Sequence, residues 1–296
     1  MIHKDNCLDI KLISNLFRFR QYVKNLFIFA PLFFSFNFNL ELLVKCVFAF
    51  ILFSFLASSV YIYNDLTDKN EDSKHPVKRL RPIASGLVSE RIAKTLMLFL
   101  SGLSLICSLL LDLNLFIIFV IYFILNISYS IKLKHIPIID VFVIAIGFVL
   151  RLFVGSVATG ITLSFWIIII TFLLALFLGF AKRRDDVLLS MQGKATRKNI
   201  DGYNLDFTNY TMVATSSIVI VSYILYTVSD GVCSHFGTKY LYLTTFFVLL
   251  GFIRYMQITF VENMSGDPTE LVLKDGFLKF ACLGYIASFI IVVKFL

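Results

Sequence analysis

Acidic side chains crowd into one short stretch of this sequence, YIYNDLTDKNEDSKHPVKRLRPIASG at residues 61–86. Its four carboxylates all fall between Asp65 and Asp72. At helical spacing, Asn64, Asp65 and Asp68 project toward one side. Carboxylates one turn apart repel each other without a counter-charge, but they hold Mg²⁺ well and leave coordination sites for phosphate oxygens. The spacing predicts Asn64, Asp65 and Asp68 as catalytic metal ligands, with Asp72 further out as a substrate-binding residue.

Cations follow these carboxylates at once, in the run KHPVKRLRPIASG. Metal ligands beside cations are suited to a diphosphate, so Lys78, Arg79 and Arg81 are predicted to bind phosphate. Two alternatives remain open for these residues. The acidic groups could simply pair with the nearby Lys and Arg in a solvated loop, and the cations could serve only to orient the protein in a membrane.

The composition is that of an integral membrane protein. The chain has 296 residues, of which 58% are hydrophobic and only 16% charged, and 33 are phenylalanine. A soluble domain is nearer a quarter charged, so the excess apolar surface must face lipid. The net charge of +8 could suggest nucleic acid, but that would need a basic soluble module, and the sequence has none. The five scattered cysteines form no CxxC pair and are interpreted as inert packing residues.

Apolar runs of about 20 residues can cross a bilayer as helices. Their distribution predicts an all-α protein of about nine transmembrane helices. These predicted spans lie near 22–37, 41–64, 92–111, 113–130, 138–158, 163–181, 209–229, 239–260 and 276–295. Before them, residues 8–24 alternate basic and apolar side chains at helical spacing and are predicted to form an amphipathic interfacial helix.

The distribution of positive charge predicts the orientation. The predicted external loops near 38–40, 112, 160 and 230–238 contain no Lys or Arg, whereas the internal loops are rich in both. The internal cations are Lys69, Lys74, Lys78, Arg79, Arg81, Lys132, Lys134, Lys182, Arg183, Arg184, Lys194, Arg197 and Lys198. We therefore expect a multi-pass protein of the cytoplasmic (inner) membrane, with its N-terminus and its active site on the cytoplasmic side.

Two long charged loops are predicted, one at about 65–90 after the second span and one at about 181–207 after the sixth. This offset of four helices suggests two related halves. We expect a single membrane-embedded domain over residues 1–296.

The acidic stretch carries a family resemblance. YIYNDLTDKNED resembles the NDxxDxxxD motif of the UbiA superfamily of intramembrane prenyltransferases. The extension HPVKRLRPIASG and the segment YSIKLKHIPIIDVFVIAIGFVLRLFVG resemble the polyprenyl-phosphate phosphoribosyltransferase branch, as do FRQYVKNLFIFAPL and FLGFAKRRDD. The resemblance implies a UbiA-like helical bundle with cytoplasmic polar loops and a Mg²⁺-bound diphosphate at the first motif.

The second polar region departs from ordinary prenyltransferases, which have another aspartate-rich motif there. This sequence has Lys182 and Arg183 instead, and cations favour direct contact with phosphate over a second metal. Within the branch, the implied reaction moves a 5-phosphoribosyl group from phosphoribosyl diphosphate to a decaprenyl-type polyprenyl phosphate. Its product would supply cell-envelope polysaccharide synthesis, and Lys182 and Arg183 would bind the 5-phosphate.

Further substrate-binding residues are predicted near the apolar runs. Lys24, with its neighbours Gln21 and Asn25, could meet a lipid phosphate, and Lys134 and Asp140 lie at the start of the fifth span. The remaining substrate-binding candidates are Tyr129, with an interfacial anchor as its alternative, and Arg151, with a buried Arg–Asp pair as its alternative.

Two other functions stay open. A UbiA-type enzyme could transfer a prenyl group to an aromatic acceptor such as 4-hydroxybenzoate, although it would need a second aspartate cluster at Lys182 to Arg184. A transporter would need charged residues near mid-bilayer in several helices, and only Arg151 approaches that description. The sequence does not specify the polyprenyl chain length or the oligomeric state.

Overall fold

Long apolar helices dominate the computed structural model, which describes residues 11–36, 39–74, 77–193, 200–264, 271–272 and 274–295. Eight helical segments in the described ranges are long and apolar enough to cross a membrane. We number them α1 Leu40–Thr67, α2 Glu90–Leu111, α3 Leu113–Ile131, α4 Ile139–Thr159, α5 Phe165–Met191, α6 Leu205–Val228, α7 Tyr240–Phe260 and α8 Gly276–Phe295. The first five residues of α7 are 3₁₀-helical. The protein is therefore an all-α, multi-pass membrane protein, as predicted.

The chain divides into two compact units, Met1–Leu163 and Ser164–Leu296. The first unit contains α1 to α4 and the second contains α5 to α8. Four long helices per unit agree with the four-helix offset between the two charged regions of the sequence.

The core of the first unit is aromatic and aliphatic. Phe53 of α1 is fully buried, and its ring packs against those of Phe119 and Tyr122 of α3 with centroids 5.5 Å and 4.5 Å away. Leu150 and Val154 of α4 complete this contact surface. This packing holds the middle of α1 against α3 and α4.

Local sequence explains where several helices begin. The side chain of Asn39 accepts a hydrogen bond from the Glu41 amide at the start of α1, and Asp112 accepts from the amides of Asn114 and Leu115 at the start of α3. Ser89, Ser164 and Asn204 act in the same way before α2, α5 and α6. These residue types satisfy backbone donors that a helix start leaves without partners.

The first predicted span, 22–37, differs from the expectation of a continuous α-helix. Residues Phe19–Phe29 form a 3₁₀-helix, and a short α-helix follows at Ala30–Phe34, with Pro31 in its first turn. Because a 3₁₀-helix rises about 2.0 Å per residue, the two segments would reach roughly 30 Å if collinear, about the thickness of the hydrocarbon core. The predicted amphipathic helix is observed at residues 11–17 and ends at Arg18, while its first residues lie outside the described ranges.

Both predicted charged loops are shorter than expected. The helix α1 includes Asp65 and continues to Thr67, and a four-residue helix follows at Lys69–Asp72. The helix α5 continues to Met191, ten residues past the predicted end of its span, so the charged residues 182–186 are helical. The sequence boundary marked the end of the apolar stretch, whereas Ala, Lys, Arg and Leu allow the helix itself to continue.

Candidate active site

The acidic stretch lies where α1 ends. The helix stops at Thr67, and Asp68 has φ −90° and ψ 2° at the junction with the short helix Lys69–Asp72. Asp72 ends the short helix beyond this break, seven positions after Asp65. Asp65 and Asp72 are both buried and both accept hydrogen bonds from one nitrogen, Nη1 of Arg81, at 3.0 Å and 2.6 Å.

Asp65 has a second cationic partner, Arg18, which ends the N-terminal amphipathic helix. The backbone of Arg18 lies in the left-handed region, with φ 53°. Its guanidinium carbon lies 5.1 Å from the centroid of the Tyr61 ring. Sequence reasoning missed this residue. The available signal was its place at the end of the basic amphipathic segment, just before the motif FRQYVKNLFIFAPL.

Asp68 belongs to a separate pair. It forms an ion pair with Lys134, from the 3₁₀ turn Leu133–His135 between α3 and α4. Its Oδ2 also accepts a hydrogen bond from the side-chain amide of Asn64 at 3.1 Å. The structure therefore brings Asn64, Asp68 and Lys134 together, as well as Asp65, Asp72 and Arg81. The alternative in which the acidic groups pair with Lys and Arg describes these contacts, and the pairs are substantially buried rather than solvated.

The carboxylates fit a divalent cation as a pair. In the described part of the chain, no three Asp, Glu, His or Cys side chains are grouped so that they could hold a metal ion. Asp65 and Asp72 nevertheless both accept hydrogen bonds from a single atom of Arg81, so one oxygen of each carboxylate faces a common point. Mg²⁺ is commonly held by one or two carboxylates together with phosphate oxygens, so this pair suits Mg²⁺ that arrives with a diphosphate. Asn64 and Asp68 supply further oxygens of the right type nearby.

Other predicted residues of the first unit vary in exposure. Arg79 is exposed, whereas Lys24, Lys78 and Tyr129 are half-buried. Asp140 is fully buried in the first turn of α4, and its Oδ1 accepts a hydrogen bond from the Val141 amide at 3.0 Å. Exposure leaves Arg79 accessible to a ligand from solution.

Arg151 occupies a buried polar network. Its Nε donates to Asn25 Oδ1 at 2.8 Å, and its Nη1 and Nη2 donate to the Gly147 carbonyl at 2.6 Å and the Tyr122 hydroxyl at 3.3 Å. The buried Arg–Asp pair proposed as the alternative for Arg151 is therefore not observed, because its hydrogen-bond partners are the neutral groups of Asn25, Gly147 and Tyr122. Because Asn25 also donates to Ser54 at 2.9 Å, this network attaches the N-terminal 3₁₀-helix to α1 and α4.

The second unit presents its charged run on α5. Arg183 is fully buried and forms an ion pair with Asp186, while Lys182 is half-buried. The adjacent Arg184, which was not predicted as a site residue, donates to the side-chain oxygens of Asn209 at 2.7 Å and Asn263 at 3.1 Å. Its guanidinium also lies 5.4 Å from the ring of Phe260.

A family model gives the decisive comparison. The model of the UbiA prenyltransferase family matches residues 26–281. The chain belongs to the UbiA prenyltransferase family. This UbiA protein also resembles a solved UbiA homologue from Archaeoglobus fulgidus bound to DMAPP and Mg²⁺, with a TM-score of 0.69 over 96% of this chain and 99% of that one. At 18% identity, that likeness shows the shared fold.

Curated relatives are more similar in sequence. The decaprenyl-phosphate phosphoribosyltransferase of Mycobacterium tuberculosis is 31% identical over 277 residues, which cover 91% of this chain and 90% of that protein. The enzyme of the same name from Corynebacterium glutamicum is 29% identical over 93% of this chain and 84% of its own length. The predicted membership of the superfamily is confirmed, and the similarity extends along most of the chain.

Proposed function

We propose that this UbiA protein is a polyprenyl-phosphate phosphoribosyltransferase. It transfers a 5-phosphoribosyl group from phosphoribosyl diphosphate to a polyprenyl phosphate and releases diphosphate. The observation that carries this proposal is the similarity to relatives named for that activity, at 31% identity over nine-tenths of both chains. The charged run at Lys182 and Arg183, where an aspartate-rich motif would suit a prenyl diphosphate, supports the same assignment.

Each predicted group is assigned a task in this proposal. Mg²⁺, when bound, would supply charge neutralisation for the leaving diphosphate. Asp65 and Asp72 would hold that ion, with Asn64 and Asp68 as further oxygen ligands, and Lys78, Arg79 and Arg81 would bind phosphate oxygens. Lys182 and Arg183 bind the 5-phosphate. The lipid phosphate is already an anionic nucleophile, so the chain needs no general base to activate it.

The acceptor accounts for a membrane-embedded enzyme. A polyprenyl tail stays in the bilayer, so its phosphate must be bound at the interface, where Lys24 is proposed to contribute. Lys134 and Tyr129 are proposed as further substrate contacts, and Asp140 as a ligand of a ribose hydroxyl or of the metal. Phosphoribosyl diphosphate arrives from the cytosol, which requires a site on the cytoplasmic side of the inner membrane. The product is proposed to serve cell-envelope polysaccharide synthesis.

Reconstitution with defined substrates tests the proposal. Purified protein is incubated with Mg²⁺, phosphoribosyl diphosphate and a polyprenyl phosphate, and the lipid product is measured by mass spectrometry. We expect a lipid whose mass has increased by one phosphoribosyl group, and no product after EDTA treatment until Mg²⁺ is restored. Product from prenyl diphosphate and 4-hydroxybenzoate, without phosphoribosyl transfer, would instead identify an aromatic prenyltransferase.

A further inference from the structure

Three cations neutralise three carboxylates at the candidate active site. Arg18 and Arg81 contact Asp65, Arg81 also contacts Asp72, and Lys134 contacts Asp68. The formal charge of these six side chains therefore sums to zero without any metal. The buried carboxylates Asp65 and Asp72 would carry unpaired charge if the cations were absent, and an unpaired buried charge is strongly destabilising.

The three cations come from three separate segments of the chain. Arg18 ends the N-terminal amphipathic helix, Arg81 lies in the loop before α2, and Lys134 lies in the turn between α3 and α4. The carboxylates, by contrast, all belong to the end of α1 and the short helix after it. The guanidinium groups of Arg18 and Arg81 can thus move away from Asp65 without disrupting the helix that carries it. Each side chain is about a quarter exposed, at 23% and 27%, and can reach a ligand from solution.

A divalent cation that binds this site alone would meet an unfavourable exchange. The cation must displace Arg81 from the carboxylate oxygens of Asp65 and Asp72. It would then lie close to the guanidinium groups of Arg18 and Arg81, which would have lost their carboxylate partner. A polyphosphate changes this balance, because its oxygens accept charge-assisted hydrogen bonds from the same guanidinium groups. The favourable exchange therefore requires metal and polyphosphate together.

We infer that Arg18 and Arg81 are exchange residues. In the absence of substrate, Arg18 pairs with Asp65 and Arg81 pairs with Asp65 and Asp72. When a metal–diphosphate complex binds, both guanidinium groups leave the carboxylates and donate hydrogen bonds to phosphate oxygens instead. The inference rests on the proposed function and deepens it, because it assigns Arg18 to the site and couples metal binding to diphosphate binding there. Metal affinity and diphosphate affinity are coupled, and by linkage each ligand raises the affinity for the other by the same factor.

The test measures metal binding directly. The full-length protein in detergent is titrated with Mn²⁺, and bound and free ion are separated by electron paramagnetic resonance, with and without inorganic diphosphate at matched free Mn²⁺. For the wild type we expect diphosphate to raise Mn²⁺ affinity at least tenfold. Any metal-bridged diphosphate would give some coupling, so the deciding variants are Arg81→Gln and Arg18→Gln.

Each variant should bind Mn²⁺ alone at least several-fold more tightly than the wild type, and should lose most of the enhancement by diphosphate. Lys69→Gln removes an exposed cation that pairs with Glu90 at 2.8 Å outside this cluster, and serves as the matched control with less than a twofold change. Unchanged or weaker affinity for Mn²⁺ alone in both arginine variants would overturn the inference. If Arg81→Gln does not fold, Arg18→Gln decides the outcome.

This result is separable from the proposed function. If the wild type transfers phosphoribosyl groups but the arginine variants bind Mn²⁺ as the wild type does, the exchange is wrong and the proposed function stands. If the variants bind Mn²⁺ more tightly but no phosphoribosyl lipid forms, the exchange stands with another diphosphate substrate.

Discussion

At the scale of single residues, the pairing of Asp65 with Asp72 depends on one local break. Asp68 ends α1 and allows the next four residues to start a new helix, so that Asp72 meets Arg81 beside Asp65. Asp65 then has two cationic partners and Asp68 one. Substitution of these carboxylates separates a chemical role from simple structural pairing.

We expect Asp65→Asn, Asp68→Asn and Asp72→Asn each to reduce phosphoribosyl transfer by about 100-fold or more, because each removes negative charge needed for a metal at the leaving diphosphate. Asparagine has nearly the size of aspartate and keeps one oxygen acceptor, so each variant should still fold and insert into the membrane. Steady-state rates at saturating Mg²⁺ and thermal melting in detergent measure the two effects.

The matched control for these carboxylates is Glu90→Gln, which neutralises an exposed carboxylate bound to Lys69 at 2.8 Å. Exposed ion pairs contribute little to stability, so rate and melting temperature should stay near the wild-type values. A wild-type rate in Asp65→Asn or Asp72→Asn would remove that residue from the metal site.

The sequence revealed the kinds of group at this site better than their arrangement. The spacing of Asn64, Asp65 and Asp68 indicated that their side chains share one side of the helix. It did not indicate the position of Asp72, which lies beyond a helix break that spacing does not encode. Arg18 lies 47 positions before Asp65, and only tertiary packing brings it there. Long-range ion pairs of this kind cannot be deduced from local periodicity.

At the scale of elements, the N-terminal 3₁₀-helix is attached along α1 at several points. Tyr22 shares a hydrogen bond of 2.8 Å with Ser58, Asn25 donates to Ser54, and Cys46 donates to the Ile28 carbonyl at 3.5 Å. These contacts place Arg18 at the level of Asp65. Gly155 of α4 permits the close approach at the other end, because a Cβ there would lie 1.9 Å from the Ile28 carbonyl oxygen.

We therefore predict that Gly155→Ala displaces the 3₁₀-helix, since the clash is with backbone rather than with a flexible side chain. Overpacking of this kind costs about 1–3 kcal/mol, and the melting temperature in detergent should fall accordingly. Transfer activity should also decrease because Arg18 shifts away from Asp65.

The control is Gly102→Ala in α2, where a Cβ would meet no atom within 4 Å. Alanine favours a helix interior by up to about 1 kcal/mol over glycine, so this variant should be as stable as the wild type or slightly more stable. Equal melting temperatures for the Gly155 and Gly102 variants would contradict the close packing of the N-terminal segment.

The charged run on α5 leads to a different prediction for each of its two candidate residues. If Lys182 binds the 5-phosphate, Lys182→Ala should raise the KM for phosphoribosyl diphosphate about ten- to hundred-fold, because a charge-assisted hydrogen bond contributes about 1.5–3 kcal/mol. The KM for polyprenyl phosphate should change little. The wild-type preference over ribosyl diphosphate, which lacks the 5-phosphate, should disappear in this variant.

Arg183→Ala should instead lower stability as well as donor affinity. Arg183 is fully buried, and its removal leaves the Asp186 carboxylate without that cation, at a cost of about 3 kcal/mol for breaking a buried pair. The double variant Arg183→Ala/Asp186→Ala should recover part of the melting temperature but not the donor affinity. If both single variants still discriminate the two donors as the wild type does, the 5-phosphate site must be sought among Lys78, Arg79 and Arg81.

At the scale of the whole molecule, hydropathy was the strongest signal. Eight apolar runs became eight long helices, because an apolar stretch of membrane length has its backbone hydrogen bonds satisfied best within a helix. The described part of the run at 22–37 became a 3₁₀-helix and a short α-helix, and Ser54, Ser58 and Cys46 of α1 form hydrogen bonds with it. Hydropathy locates apolar segments but does not encode whether they form α-helix or 3₁₀-helix.

Orientation in the membrane gives the last prediction. The helix α2 has 22 residues and is about 33 Å long, so Leu87 before it and Asn114 after it should lie on opposite sides of the bilayer. Both residues are exposed. In a background without the five native cysteines, a cysteine at position 87 should react with a membrane-impermeant maleimide only in inverted inner-membrane vesicles, and a cysteine at position 114 only in right-side-out vesicles.

This outcome follows from the excess of Lys and Arg in the segment between α1 and α2, which the positive-inside rule assigns to the cytoplasm. The reverse pattern would contradict a cytoplasmic site and hence direct access for phosphoribosyl diphosphate, and labelling of both positions from one side would contradict the assignment of α2 as a span.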